Sequence, residues 1–397
     1  LPLPPTSGDR QRTLLLHRAL ARFADVHTIS LVAEPRDAAL ASSLRDACSP
    51  IEFIPPTPRG RAGLLGAFYG LSPLLIDQIT YNMPFGRTGH ETDPAVSRRA
   101  RELVASGAVD VVVCRYSAAA GIVGRSVPPA RLAIDVDGLD DEIYRSKMSL
   151  PGVGAARRAM YRRHLHRTRR VLDETFRQAQ LLWLTNADEA SQVRHDRVEL
   201  LPNIPFDPPE VAPTPISAPT IGFVGSLKHG PNIYGLTKFV TECWSTIRQA
   251  VPEAQLLVAG GGSAKASDFH WSTAPGIQFL GFVESVATVY ERSAVSLVPL
   301  WDGRGTKIKL LESFMFGRTV VTTPHSLRGY EADLHDEREL LLANDSPRMA
   351  QACIRLLRDD TLRRRLADSG QRIVRSRYTF DRFASVVESG VRSLLST

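Results

Sequence analysis

Apolar residues fall along this chain in short blocks, such as Leu181–Leu184, Thr220–Val224 and Ala294–Pro299. Each is followed by a polar or glycine-containing turn and then by a stretch with amphipathic helical spacing. Blocks of this length read as strands buried on both faces, and their alternation with helices argues for parallel sheets covered on both sides. In the first half, strands are expected at Val26–Val32, Ile51–Ile54, Val109–Cys114, Leu132–Asp135 and Leu181–Leu184, with helices near Arg10–Phe23, Ala95–Ser106, Gly154–Gln178 and Ala187–Arg194. Segment 55–94 is punctuated by Gly and Pro and gives no clear assignment.

The second half has strands expected at Thr220–Val224, Gln255–Ala259, Ile277–Leu280, Ala294–Pro299, Thr319–Thr323 and Leu340–Ala343. Helices are expected near Pro231–Ala250, Ser285–Arg292, Thr306–Phe316, Pro347–Ser376 and Phe380–Leu395. Seven prolines between Pro202 and Pro219 forbid regular structure there and mark a boundary. The expected fold is α/β, with two Rossmann-like, doubly wound domains facing a cleft. They span residues 1–205 and 206–378, and a last helix, 379–397, is placed to cross back to the first domain. The opening Leu-Pro-Leu-Pro-Pro-Thr-Ser-Gly is turn-like and leads directly into a helix, a position that normally follows a strand. A first strand is therefore expected upstream of Leu1.

With 397 residues, the chain exceeds what one core usually holds. No apolar run reaches the ~18 to 20 residues that span a bilayer, and no secretory leader pattern opens the sequence, so a soluble or peripheral protein is expected. Cys48, Cys114, Cys243 and Cys353 are scattered without CxxC or Cys/His spacing. This argues against a disulfide framework or zinc site and for the cytoplasm. The net charge of +7 is uneven, since Arg157–Arg170 holds seven arginines, His164 and His166, and no acid. Two readings stay open: a solvated helix face, or a surface that docks on anionic lipid at the inner membrane face. Nucleic acid is not an expected partner, because no aromatics beyond Tyr161 interleave the arginines and no nucleic-acid module signature is present.

The most telling chemistry lies in Gly303-Arg304-Gly305-Thr306-Lys307-Ile308-Lys309-Leu310-Leu311-Glu312. A helix start carries partial positive charge and free N–H groups, so Lys307 and Lys309 are unfavourable there unless an anion binds. A phosphate would resolve the conflict. Lysine is scarce in this chain, with six against 43 arginines, so two in one turn stand out. Glu312 shares a helical face with Lys309, and a carboxylate beside a phosphate clamp points to sugar hydroxyls and hence a nucleotide. Two further turns leave strands at the same edge, Gly222–His229 and Gly260-Gly261-Gly262. Lys228 would add charge to the phosphate site or be an ordinary exposed loop lysine. The Gly281-Phe282-Val283 backbone would meet a nucleobase or simply end a buried strand. Neither GxxxxGK[ST] nor a helix-opening GxGxxG is present.

The run IGFVGSLKHGPN, then VPEAQLLVAGGG, IQFLGFVESVATVYERSAVSLVPL and GRGTKIKLLESFMFGRTVVTTPHSLRGYE, resembles the C-terminal domain of family 4 (group 1) retaining glycosyltransferases of the GT-B fold. It is most similar to the exopolysaccharide-type sugar transferases, over about residues 202–345. Pro4–Arg10 resembles the family's glycine-containing loop, and Leu201-Pro202-Asn203 the segment entering its hinge. The resemblance implies transfer of a hexose from a UDP-sugar or GDP-sugar to a hydroxyl of a glycan or lipid-linked acceptor in polysaccharide biosynthesis, with no metal and no further cofactor. Glu312 would bind the donor ribose. Lys307, Lys309 and the Gly305-Thr306 backbone would hold the diphosphate, Gly225 and Gly261 would line the same rim, and Gly8 would lie against the phosphates or acceptor. Arg304 stands where the family has its first motif glutamate, Ser226 where many members have arginine, and Asn232 roughly where they have a phosphate-binding lysine.

Asp135-Val-Asp137-Gly-Leu-Asp140-Asp141-Glu142 contains an Asp-x-Asp. Asp137 is read as orienting an acceptor hydroxyl; a metal site and a plain acidic helix start are the alternatives. Arg115 is a second acceptor-side candidate. His229, His270 and His325 lack a carboxylate at a telling spacing, so no triad is assigned. A nucleotide-sugar epimerase using Asp137 and Glu142, or a non-catalytic nucleotide-sugar or polyanion binder, remain the alternatives to transfer.

Overall fold

The computed structural model of the chain describes residues 2–3, 5, 7–30, 34–54, 94–123, 127–128, 131–149, 153–213, 216–261, 266–303 and 305–396. Segment 55–93, most of the stretch without a sequence assignment, lies outside the described residues, as do Gly262 and Arg304. The chain divides into two compact units. One comprises Leu1–Pro5, Thr13–Leu201 and Ala384–Thr397, the other Thr6–Arg12 and Pro202–Phe383.

The first unit contains a parallel pair, β1 (Thr28–Ser30) and β2 (Ile51–Phe53), and a parallel four-stranded sheet in the order β3 (Val112–Arg115), β4 (Leu132–Asp135), β5 (Leu181–Leu184), β6 (Val198–Leu200). Both β4 and β5 are buried along their whole length, as strands covered on both faces must be. β3 starts three residues later than expected from Val109, because Ser106, Gly107 and Ala108 close the preceding helix with bonds back to 102–104. Gly107 takes the left-handed conformation that this turn requires (φ 71). The last helix, Phe380–Leu395, lays Gly390 against Leu181 and Trp183 of β5. A methyl at Gly390 would come within 2.8 Å of both side chains, so only glycine permits that approach.

The second unit is built on six parallel strands in the order β12 (Leu341–Leu342), β11 (Thr319–Thr322), β10 (Val295–Val298), β7 (Thr220–Val224), β8 (Gln255–Ala259), β9 (Ile277–Gly281). From β7 the chain winds one way through β8 and β9, then crosses to the other side of β7 and continues through β10, β11 and β12. The order therefore reverses between β7 and β10, which is where an open α/β sheet leaves a crevice beyond its strand ends. Pairing of these two strands is confined to Val295↔Ile221 and Ser296↔Gly222, so their C-terminal halves part.

Two expected helices are interrupted. Pro231–Ala250 consists of Gly230–Phe239, a π-helical turn at Val240–Trp244, and Ser245–Ala250. The wider turn lets Phe239, Val240, Cys243, Trp244 and Ile247 all reach the core. Pro347–Ser376 breaks at Asp359, which ends Ser346–Arg358 and caps Asp360–Arg377 by accepting from the Leu362 amide at 2.8 Å. Asp360–Arg377 rests on the helix Ile308–Met315, with Gly370 directly on the Phe314 ring. All four cysteines are free and buried. Among the described residues no helix is long and apolar enough to cross a membrane.

Candidate functional site

The turns that leave the second unit's sheet are tied to one another. Gly225 N donates to Ala259 O at 3.0 Å, Leu227 N to Gly261 O at 3.3 Å, and Gly260 N to Gly281 O at 2.9 Å. Gly225 and Gly261 therefore lie side by side beyond β7 and β8. A methyl on Gly261 would touch the Phe282 ring at 3.3 Å, and Phe282 is 60% exposed. Val283 instead packs beside Leu257, Ala259 and Val289, as a strand end does. Lys228 is exposed.

The glycine-containing loop after β10 owes its shape to two left-handed residues, Gly303 (φ 101) and Gly305 (φ 69), a conformation costly for any side chain. The helix begins at Ile308, two residues later than expected, with Lys307 in the capping position. Lys307 is buried, and its ammonium turns back to donate to the carbonyls of Gly303 (3.2 Å) and Gly305 (2.8 Å). The expectation that only an anion could resolve a lysine here is corrected: the loop's own carbonyls carry negative partial charge and satisfy it. His325 Nε2 lies 2.7 Å from the Gly303 carbonyl, so that nitrogen carries the proton and donates. Burial, reinforced by Lys307, lowers the His325 pKa and keeps the ring neutral.

Lys309 is the group on which this site turns. Its Nζ donates to Asn232 Oδ1 at 2.9 Å and lies 4.9 Å from the centre of the Phe223 ring. A methyl at Gly225 would stand 2.5 Å from that nitrogen and 2.9 Å from Asn232 Nδ2, so a larger residue there would displace the lysine from its place. Asn232 is buried, and its Nδ2 donates to Ser226 O at 2.9 Å. The Lys309–Asn232 bond thus joins the segment after β10 to the helix after β7, across the point where strand order reverses. Desolvation lowers the Lys309 pKa to about 7, against the smaller upward pull of Glu312. Burial raises the Glu312 pKa, with Lys309 opposing, and Tyr290 Oη donates to Glu312 Oε2 at 3.4 Å. Tyr290 is held from behind by the buried Arg318, which donates to its carbonyl at 2.7 Å, and by stacking on Phe316.

Gly8 meets the same loop. A methyl there would lie 2.9 Å from Ile308 Cδ1, the first residue of the site helix. Thr306 accepts a hydrogen bond from Asn203 Nδ2 at 2.9 Å. The structure therefore brings together Gly8, Gly225, Gly261, Gly305, Thr306, Lys307, Lys309 and Glu312, and adds Asn203, Asn232, Tyr290 and His325.

Asp137 belongs to the first unit. It has left-handed backbone (φ 50) and forms an ion pair with Arg115, whose Nε also lies 3.4 Å from the fully buried Asp135. The Arg115 guanidinium sits 3.9 Å over the Tyr116 ring, and Tyr116 is likewise left-handed (φ 74). Two non-glycine residues in that region at adjacent strand ends mark stored strain, as functional sites often do. Asp141 is buried against Arg145 (3.1 Å) and Arg169 (3.5 Å), so three acids of the run, Asp135, Asp137 and Asp141, serve ion pairs. Among the described residues no group of three or more His, Cys, Asp or Glu side chains could hold a metal ion.

Residues 218–359 match the family model described as glycosyl transferases group 1. That span holds the Gly225 turn, Lys309 and Glu312. The second unit carries a group 1 glycosyltransferase domain. Solved structures similar to the chain include sucrose-phosphate synthase from Thermosynechococcus elongatus, at TM-score 0.65 and 15% identity over 98% of this chain and 94% of that one. HepE from Anabaena, solved with UDP, matches at TM-score 0.64 and 13% identity over 98% and 97%. A glycosyltransferase from Rickettsia africae matches at TM-score 0.60 and 12% identity over 98% and 96%. The fold is accordingly the two-domain GT-B fold. No curated protein sequence matches the chain.

In this glycosyltransferase domain, a lysine with a depressed pKa leaves a signature in the free protein. Its unfolded counterpart titrates near ~10.4, so from about 7 upward the unfolded chain binds the extra proton and folded stability rises with pH. Carbon-13 NMR of the lysine side chains should show one midpoint near 7, absent in Lys309→Met, together with a rise in melting temperature between pH 7 and 9 that the variant lacks. A Lys309 titration at the ordinary lysine position would contradict this depression.

Proposed function

We propose that the chain is a retaining, metal-independent glycosyltransferase. It moves a hexose from a UDP-sugar or GDP-sugar to a hydroxyl of a glycan or lipid-linked acceptor in cell-surface polysaccharide biosynthesis. The observation that carries this reading is the desolvated Lys309 ammonium behind Gly225 at the switch point of the sheet. A pyrophosphate placed there restores the full charge of the lysine and receives donors from the helix start. The reported complexes of HepE with UDP and UDP-glucose support a nucleotide-sugar donor in this fold.

Breaking the sugar–phosphate bond leaves negative charge on the diphosphate. A cation already fixed by Asn232 and Phe223 stabilises that charge more in the transition state than in the ground state. Glu312, its carboxylate steadied by Tyr290, holds the ribose hydroxyls. Retention follows if the acceptor approaches the face from which the diphosphate departs, with the leaving phosphate taking the acceptor proton. In the first unit, Asp137 orients that acceptor hydroxyl, and its ion pair with Arg115 fixes its position.

The basic face of the helix Ala155–Phe176 supports attachment to the inner membrane face. Arg157, Arg158, Arg162, Arg163, Arg167 and Arg170 are exposed, whereas Arg169 is tied to Asp141 and Asp173. His164 is removed from this surface by burial and stacks on Tyr144.

Lys309→Ala should lower donor turnover about a hundredfold, the usual loss for one preorganised charge donor (~3 kcal/mol), while Glu312→Ala should raise KM for the donor about tenfold. Steady-state assay with UDP-glucose and GDP-mannose as first donors checks both, and turnover unaffected by either change would overturn the assignment. Sedimentation with vesicles should show binding to anionic but not neutral lipid, lost on Arg162→Glu/Arg163→Glu and weakened by salt. Equal binding to neutral vesicles would remove the membrane reading.

A further inference from the structure

A buried chain of hydrogen bonds ends at the phosphate loop and fixes the direction of one proton. Arg12 is 1% exposed, and its Nη1 donates to Asn203 Oδ1 at 3.0 Å. A guanidinium has donors only, so the Asn203 atom facing it must be the carbonyl oxygen. The amide nitrogen therefore faces the other way, 2.9 Å from Thr306 Oγ1, and it can only donate. Thr306 must accept that bond and keeps its own hydroxyl proton for another partner. Among the described residues there is no acceptor for it.

Thr306 is partly exposed and stands at the positive end of the helix that Lys307 caps. Gly305, its neighbour, has nothing within 4 Å of where a methyl would stand, and Lys307 caps the helix immediately after it. The charge on Arg12 also polarises the Asn203 amide, strengthening the bond to Thr306. We propose that Thr306 donates its hydroxyl proton to a phosphate oxygen of the bound nucleotide, and that Arg12 and Asn203 are positioning residues that set this direction. The proposal rests on the nucleotide-diphosphate reading above.

Replacement of Asn203 by aspartate separates a relay from a merely structural bridge. The carboxylate still accepts from Arg12, but toward Thr306 it offers only an acceptor and so takes the hydroxyl proton. Asn203→Asp should leave amide hydrogen exchange at 305–308 as in the unaltered protein, yet weaken UDP or GDP binding by calorimetry about tenfold or more. Thr306→Val should lose as much, Thr306→Ser should stay within about threefold, and Asn203→Asp/Thr306→Val should be no worse than either change alone. Asn203→Asp binding as tightly as the unaltered protein, or a double variant that loses the product of both effects, overturns the relay. Unaltered protein that binds neither UDP nor GDP overturns the nucleotide reading itself, which is a separate result.

Discussion

A partly buried lysine ammonium, short of the water that would fully solvate its charge, is the constraint around which the second unit's site is arranged. Removing a cation from water is costly unless partners replace the solvent, and Lys309 receives one amide oxygen, one aromatic face and a carboxylate three residues away. That partial compensation leaves the group poised near pH 7 rather than locked in its charged form. In the proposed function, a dianionic ligand supplies what is lacking. The neighbouring residues act on the same atom: Gly225 gives it space, Asn232 fixes its direction, and Tyr290 and Arg318 hold Glu312 from behind.

Strand order explains why the constraint falls where it does. β7 and β10 are neighbours in the sheet but head connections that run in opposite directions, so the segments after them part and leave a crevice. The residues that meet across it are therefore distant in sequence: Asn232 with Lys309, Asn203 with Thr306, Gly8 with Ile308. Lys307 has a different task from Lys309. It is spent on the carbonyls of its own loop and fixes the backbone from which Thr306 and the helix start project.

Strand cores were legible because parallel strands buried on both faces are apolar throughout. β4, β5, β7 and β8 begin and end where the sequence places them. Boundaries set by side-chain chemistry were less so: the break at Asp359 depends on one carboxylate capping the next helix, and the π turn at Val240–Trp244 on packing around Trp244. Short elements without strong periodicity, such as β6 and the helix Ser117–Val123, gave no signal above the surrounding turns. The glycine loop, both lysines and Glu312 stood out through composition and spacing. The separate duties of the two lysines did not, because the Lys307 carbonyl contacts depend on the left-handed geometry of Gly303 and Gly305. Asn232 read as a departure from a family pattern, whereas in space it is the partner that makes Lys309 directional. Asp137 read as orienting an acceptor hydroxyl, and its ion pair with Arg115 was not legible because it joins residues 22 apart that only the register of β3 and β4 brings together.

The central claim is that Lys309 meets the diphosphate and regains its proton in doing so. Calorimetry of UDP or GDP binding at pH 8, in buffers of different ionisation enthalpy, counts that proton directly. The account predicts uptake close to one proton per nucleotide in the unaltered protein and none in Lys309→Met. Binding heats independent of the buffer in the unaltered protein would contradict it.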